Sequence, residues 1–348
     1  MNKTKKYKIS FLILLFLAAF TFYVIFTKFS FYDIIDKVRE SSHKHYLLFA
    51  CVLSVVYIAL YGRFINVGIS ALNEKTSRLK CFVYGCADFF YSAITPSASG
   101  GQPVVIYLMT KDGISLSTSA ITVIFQTIAF KAVLLFYGIL SLFVVWNIVS
   151  ITSVLFLILI LVGVATALIS ITLCIVSMYR PYLTEKVGTA ILRFLTKLRI
   201  IRNGKERICS FKDTLTEYHK AATFLNNKKR VLLRMFFITL CQRTAMFSIA
   251  YFVYRSFGLC SFGYIDFLCV QALVSLAIDS VPLPGSMGAN EYATYFLYGV
   301  VYGSNDVMAA TAMLLTRGFS FYFPLVFTSI LILGKQLLDH FKIRTNRA

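Results

Sequence analysis

Long apolar runs, each bounded by charged or turn-forming residues, divide the chain at about 9–27, 46–70, 117–145, 151–178, 231–257 and 307–334. The first holds 19 uncharged residues, which as helix at ~1.5 Å per residue reaches ~29 Å, about the thickness of a bilayer's hydrocarbon core. The pattern predicts an all-α polytopic membrane protein with about six full spans. Two further apolar segments, 81–112 and 264–303, are broken. Each carries a proline, a glycine four residues on and a side-chain amide two beyond that: Pro96, Gly100, Gln102 and Pro284, Gly288, Asn290. A tyrosine follows each proline by eleven residues, Tyr107 and Tyr295. Backbone broken in hydrocarbon survives only where it is buried in protein or lines a wet cavity, because an unpaired amide there costs several kcal/mol. Both segments are therefore expected to be re-entrant hairpins at the protein's centre, and such pairs mark binding sites in transporters.

Composition agrees and adds orientation. The chain is 58% hydrophobic and 14% charged, against roughly 45–50% and about 25% for soluble domains. Lys3, Lys5, Lys6 and Lys8 precede the first run as in a secretory signal. That run nevertheless exceeds the usual ~7–15 residue apolar core and lacks a small-x-small cleavage site, so it reads as a span. The net charge of +20 could suggest nucleic acid, but the 35 basic residues are partitioned. Fourteen lie between Arg180 and Arg234 against four acidic residues, and twelve more at the N-terminus, at Lys75, Arg78, Lys80 and Lys111, and from Lys335 onward. Placing these 26 in the cytoplasm satisfies the positive-inside rule and argues against nucleic acid as a partner.

With the termini cytoplasmic, the first broken segment enters from the cytoplasmic side and the second from the opposite side. That yields one transmembrane domain, 1–348, with an inverted repeat of span, broken hairpin and span at 46–145 and 231–334. Runs 9–27 and 151–178 are peripheral, and 28–44 is a loop. The basic loop 179–230 holds Leu192, Phe194, Leu195, Leu198 and Ile201 among Arg193, Lys197, Arg199 and Arg202, a basic amphipathic stretch suited to an anionic leaflet, ended at Asn203-Gly204.

Candidate chemistry concentrates in the breaks. Thr95, Pro96, Ser97, Ser99, Gly100, Gly101 and Gln102 offer hydroxyls for capping and glycines that let a phosphate approach the backbone. Pro284, Gly285, Gly288, Asn290 and Glu291 form the second set. Half-helix N-termini there would favour an anionic headgroup; tight turns serving packing alone remain the alternative. Ionisable residues inside spans are costly and by default functional. Lys131, Arg243 and Arg317 are candidates to neutralise a lipid phosphate, and Asp88, Asp279 and Glu291 to pair with them or to receive an ammonium group. Arg63 and Arg255, near span ends, can snorkel. The eight cysteines and four histidines show no metal-ligand spacing, so neither metal nor cofactor is expected. P-loop, GxSxG and HExxH signatures are absent, and no histidine falls in an apolar run.

TPSASGGQP with the following VVIYLMTKDGIS, then PLPGSMGANE, then TRGFSFYFP around Arg317, resemble three signatures of the membrane domain of lysylphosphatidylglycerol synthases and of related stand-alone flippase-like proteins. The resemblance spans roughly residues 8–335. It implies a helical bundle with re-entrant hairpins that moves a lipid between leaflets, an aminoacylated phosphatidylglycerol in the best-known members, with a contribution to resistance against cationic antimicrobial peptides. Many relatives carry Glu where this chain has Gln102, so a protonation role does not transfer there. In the full-length enzymes a soluble C-terminal domain performs aminoacyl transfer from charged tRNA. Fourteen residues follow Gly334 here, and the chain alone is expected not to catalyse that transfer. The alternatives are a phosphatidylglycerol lysyltransferase or its membrane subunit, and a membrane partner in cell-envelope glycolipid assembly. A separate synthase or glycosyltransferase, or a second copy of the chain, would then be its partner.

Overall fold

A computed structural model describes residues 31–39, 43–145, 154–197, 204–279, 281–303 and 305–345. The run at 9–27 and the end of the amphipathic stretch, Leu198–Arg202, lie outside the described residues. Helices are α1 (Phe31–Arg39), α2 (His45–Ala71), α3 (Arg78–Ala93), α4 (Gly101–Lys111), α5 (Leu116–Val144), α6 (Val154–Tyr179), α7 (Pro181–Lys197), α8 (Gly204–Asn226), α9 (Lys229–Ser256), α10 (Tyr264–Ile278), α11 (Ala289–Val301), α12 (Asp306–Arg317) and α13 (Phe323–Thr345). Among the described residues there is no strand. Five helical stretches are long and apolar enough to span a bilayer: α2, α5, α6, α9, and α12 continuing into α13. The protein is a multi-pass membrane protein.

Each interrupted segment is two helices joined by a short 3₁₀ turn, Pro96–Ala98 between α3 and α4 and Pro284–Ser286 between α10 and α11. Proline opens both turns because its ring fixes φ and it has no amide to leave unpaired. Side chains set the neighbouring helix starts: Ser77 accepts from the Lys80 amide at α3, Ser115 from that of Thr118 at α5, and Asn305 from that of Met308 at α12.

The two triplets α2/α3–α4/α5 and α9/α10–α11/α12–α13 have the same order of elements. Their first helices, α2 and α9, pack along each other, α5 lies on α10, and α13 on α3. The 3₁₀ turns also pack against one another, and Ala87, Phe90 and Ile94 from the first break share a buried cluster with Met287 and Phe321 of the second triplet. Helix α6 sits outside this assembly. It buries Phe156, Gly163, Ala167 and Met178 and exposes Leu155, Leu161, Ile169 and Leu173.

Two details depart from the pattern of runs. Part of the segment expected to be loop, 28–44, is helix α1, which packs on α12 with Ile35 and Val38 half-buried and Tyr32, Asp36 and Arg39 exposed. The last span is not a uniform helix: Gly318–Tyr322 form a π turn between α12 and α13. A carbonyl loosened there is met from another helix, the Ser54 hydroxyl on α2 donating to Phe319 O at 2.5 Å. Such turns concentrate at functional sites.

Candidate functional site

Where the breaks meet, they enclose a cavity of about 460 Å³. Its walls come from both triplets: Tyr57 on α2, Asp88 and Phe89 on α3, Gln126, Thr127, Phe130 and Lys131 on α5, Arg243 on α9, Ser275 on α10, and Asp279 just beyond. Ser97, Ser99 and Gln102 of the first break and Leu283, Gly285 and Ser286 of the second also line it. A smaller cavity of about 160 Å³ lies behind, lined by Asn290, Arg317 and others. Phe89, Arg243, Ser275 and Phe321 border both.

The candidate residues divide by what they touch. Lys131 Nζ contacts both Asp279 oxygens, at 2.6 and 2.5 Å, joining α5 of the first triplet to the second break. Arg317 is buried: its Nε donates to Glu291 Oε1 at 2.9 Å, an Nη donates to the Gly285 carbonyl, and its plane lies 4.1 Å from the Phe321 ring centre. The other Glu291 oxygen takes the Gly288 amide at 2.7 Å. This one ion pair thus closes the second turn, where Gly285 holds φ +59, a conformation that glycine adopts without a Cβ clash.

Arg243 is held differently. It donates to the Tyr57 hydroxyl at 2.8 Å, lies 3.8 Å from the Phe130 ring centre and has no carboxylate partner among the described residues. Asp88 lines the same cavity, near enough for its charge to interact with Arg243, and is likewise outside any ion pair among the described residues. Gln102 donates to the Thr127 hydroxyl at 2.8 Å.

The other candidates shape the backbone and line neither cavity. Thr95 donates to Tyr91 O at 2.7 Å and accepts the Gly100 amide at 2.8 Å, so one hydroxyl ends α3 and supports the start of α4. A Cβ on Gly101 would run into Ser92 Oγ and lie 2.6 Å from Asp88 O, so only glycine lets α3 and α4 approach this closely. Pro96 and Pro284 open the turns, and Gly288 lends its amide to Glu291. Of the two tyrosines, Tyr107 is exposed and Tyr295 donates to Asp306. Arg255 is at the exposed end of α9 beside Cys260, and Arg63 reaches Asn66.

Tyr57, Gln126, Thr127, Phe130 and Ser275 escape a reading of the sequence as site residues. The available signal was an isolated polar residue in an apolar run, which fits equally a hydroxyl bonded within its own helix; Thr127 makes such a bond too, to Val123 O.

The family model described as "Lysylphosphatidylglycerol synthase TM region" matches residues 9–327. A "UPF0104 membrane protein" of Archaeoglobus fulgidus is 25% identical over 260 residues, covering 72% of this chain and 75% of that protein.

Proposed function

The chain belongs to the family of lysylphosphatidylglycerol synthase transmembrane regions, and from that membership we propose that it moves the headgroup of an anionic or aminoacylated phospholipid between leaflets. The observation that carries this reading is the 460 Å³ cavity of mixed charged and apolar lining formed where the two breaks meet, with the carboxylate of Asp88 and the guanidinium of Arg243 outside any ion pair among the described residues. Ionisable groups held in an apolar bundle are expensive unless they serve a substrate. A phosphate fits the Arg243–Tyr57 corner as an acceptor, and an amine fits Asp88; acyl chains would stay in the bilayer. The breaks enter from opposite leaflets and both termini are cytoplasmic, an orientation supported by the 26 basic residues that this arrangement puts on one side. The Lys131–Asp279 pair, which bridges the triplets, is placed to tighten or part as the headgroup passes.

The test uses purified protein in liposomes carrying fluorescent phosphatidylglycerol or its lysyl derivative, with a membrane-impermeant quencher outside. Protein-dependent exposure of the inner-leaflet label, reduced at least tenfold in Arg243→Gln, is the expected result. Label that stays protected with correctly inserted protein overturns the reading. Lysyl-lipid formed by the purified chain from lysyl-tRNA and phosphatidylglycerol would instead make it a transferase.

A further inference from the structure

The smaller cavity lies behind the partition of Phe89, Arg243 and Phe321, and its chemistry differs from that of the larger one. At about 160 Å³ it is well below the roughly 300 Å³ at which small-molecule sites begin. It has room for one small ion and a few waters. None of its lining residues is Asp or Glu, whereas two are arginines.

Its polar groups include several donors beside one evident acceptor, the carboxamide oxygen of Gln271, whose amide donates to the Tyr298 hydroxyl. Arg243 Nε is buried and has no hydrogen-bond partner, the bond to Tyr57 being made by Nη2. Asn290 accepts the Thr294 hydroxyl on its Oδ1 and can still offer its amide hydrogens to the cavity. Ser275 adds a hydroxyl. Asn290 is also the second residue of α11, which puts the cavity at the positive end of that half-helix.

Charge balance points the same way. The Arg317 charge is met by Glu291 within contact distance, whereas that of Arg243 has no carboxylate in contact among the described residues and interacts with Asp88 only at longer range, from the larger cavity. A cation so placed, with a buried donor unused, calls for an anion.

We propose that this smaller cavity is an anion site of its own, taking a single group of halide or phosphate size between Arg243, Asn290 and Ser275. The group is either a free inorganic anion or the phosphate of a lipid that has passed the partition. The proposal does not rest on lipid movement, since binding is measurable without transport.

The experiment follows thermal unfolding of the full chain in uncharged detergent at constant ionic strength. Sodium gluconate, whose anion is too large for the cavity, is replaced stepwise by chloride or by inorganic phosphate. In a parallel arm, still in gluconate, short-chain phosphatidylglycerol is titrated against the matching diacylglycerol without phosphate. Asn290→Asp keeps the side-chain size, and both the helix N-terminus and the nearby guanidinium favour its charge, so its midpoint in gluconate should be no lower than that of the wild type.

A saturable rise with a free anion, its half-point raised at least tenfold by Asn290→Asp and by Arg243→Gln, identifies an inorganic anion. A rise with phosphatidylglycerol alone, lost in the same variants, identifies the lipid phosphate. The proposal is overturned if neither probe gives a saturable shift, or if Asn290→Asp responds as the wild type does.

Discussion

Arg317 and Glu291 form an ion pair in which both side chains are more than nine-tenths buried, 8% and 4% exposed. Through it, the second break is tied at Gly285 and Gly288 to the residue immediately before the π turn. Removing one member leaves the other charge buried without compensation, and such losses cost on the order of 3–5 kcal/mol. Arg317→Ala and Glu291→Gln should each lower the unfolding midpoint of the purified protein sharply. The double variant should be less unstable than the sum of the two. Additive losses would mean that the pair does not hold the turn.

Among the described residues the first break has no such clamp. Its turn rests on hydroxyls, Ser99 to Pro96 O, Ser92 to Ala98 O and Thr95 to Tyr91 O. Neutral hydrogen bonds of this kind contribute about 1 kcal/mol each. Thr95→Val removes two of them, the bond to Tyr91 O and the one from the Gly100 amide, and should therefore destabilise by about 2 kcal/mol, less than Arg317→Ala. A loss from Thr95→Val equal to that from Arg317→Ala would show that the two breaks are held with similar strength.

Lys131 and Asp279 are 148 positions apart and bridge the triplets. Both are mostly buried, 15% and 11% exposed, so a single reversal, Lys131→Asp, puts two carboxylates together in a low-dielectric cavity. Lipid movement in liposomes should fall at least tenfold in Lys131→Asp and recover in part when Asp279→Lys is added. Failure of the double exchange to restore anything would make the lysine's role independent of its partner.

How far the sequence reveals this molecule follows from which features are local. Run length and apolarity are local, so the spans expected at 46–70 and 117–145 are the helices His45–Ala71 and Leu116–Val144 almost to the residue. Proline and glycine announce their own turns, so both breaks are legible. Helix α1 is short and flanked by charge, and nothing local separates it from a loop. The π turn opens at Gly318, and Pro324, two residues past its end, signals a disturbed helix without saying what form the disturbance takes. In the site, Lys131, Asp279, Arg317 and Glu291 stand out because charge in an apolar run is rare. Their pairing is a tertiary fact with no local trace, and so is the contribution of Tyr57 or Ser275, whose helices present several faces to choose from.

Two carboxylates outside the spans give a pH dependence of defined sign. Burial acts to raise Asp112, but the Tyr84 hydroxyl at 2.5 Å and the Lys80 ammonium at 3.4 Å outweigh it and hold the carboxyl below its usual range. Glu74, also opposed by burial, is lowered by the hydroxyl and amide of Ser115, which it bonds at 2.6 and 3.1 Å. A depressed carboxylate stabilises the fold above its unfolded pKa of roughly 4, and the contribution is lost as pH falls through the lower folded value. Asp112→Asn and Glu74→Gln should thus be less stable than the wild type at pH 7, and the gap should shrink below about pH 4. A gap that is constant with pH would remove the carboxylate charge as its cause.

Gly285 combines two constraints that no other residue type meets. Its φ is +59, and a Cβ there would collide with the Phe321 ring, lying 2.7 Å from Cε2 and nearer still to Cζ. Phe321 has little freedom to yield, since it stacks under the Arg317 guanidinium and belongs to the cluster that joins the breaks. Alanine therefore adds backbone strain of roughly 1–3 kcal/mol and pushes on the partition between the cavities. Gly285→Ala should lower the unfolding midpoint, and the companion change Phe321→Leu should recover part of the loss by clearing the collision while leaving the strained φ. If Phe321→Leu recovers nothing, backbone strain alone sets the requirement for glycine, and the ring does not fix the position of the turn.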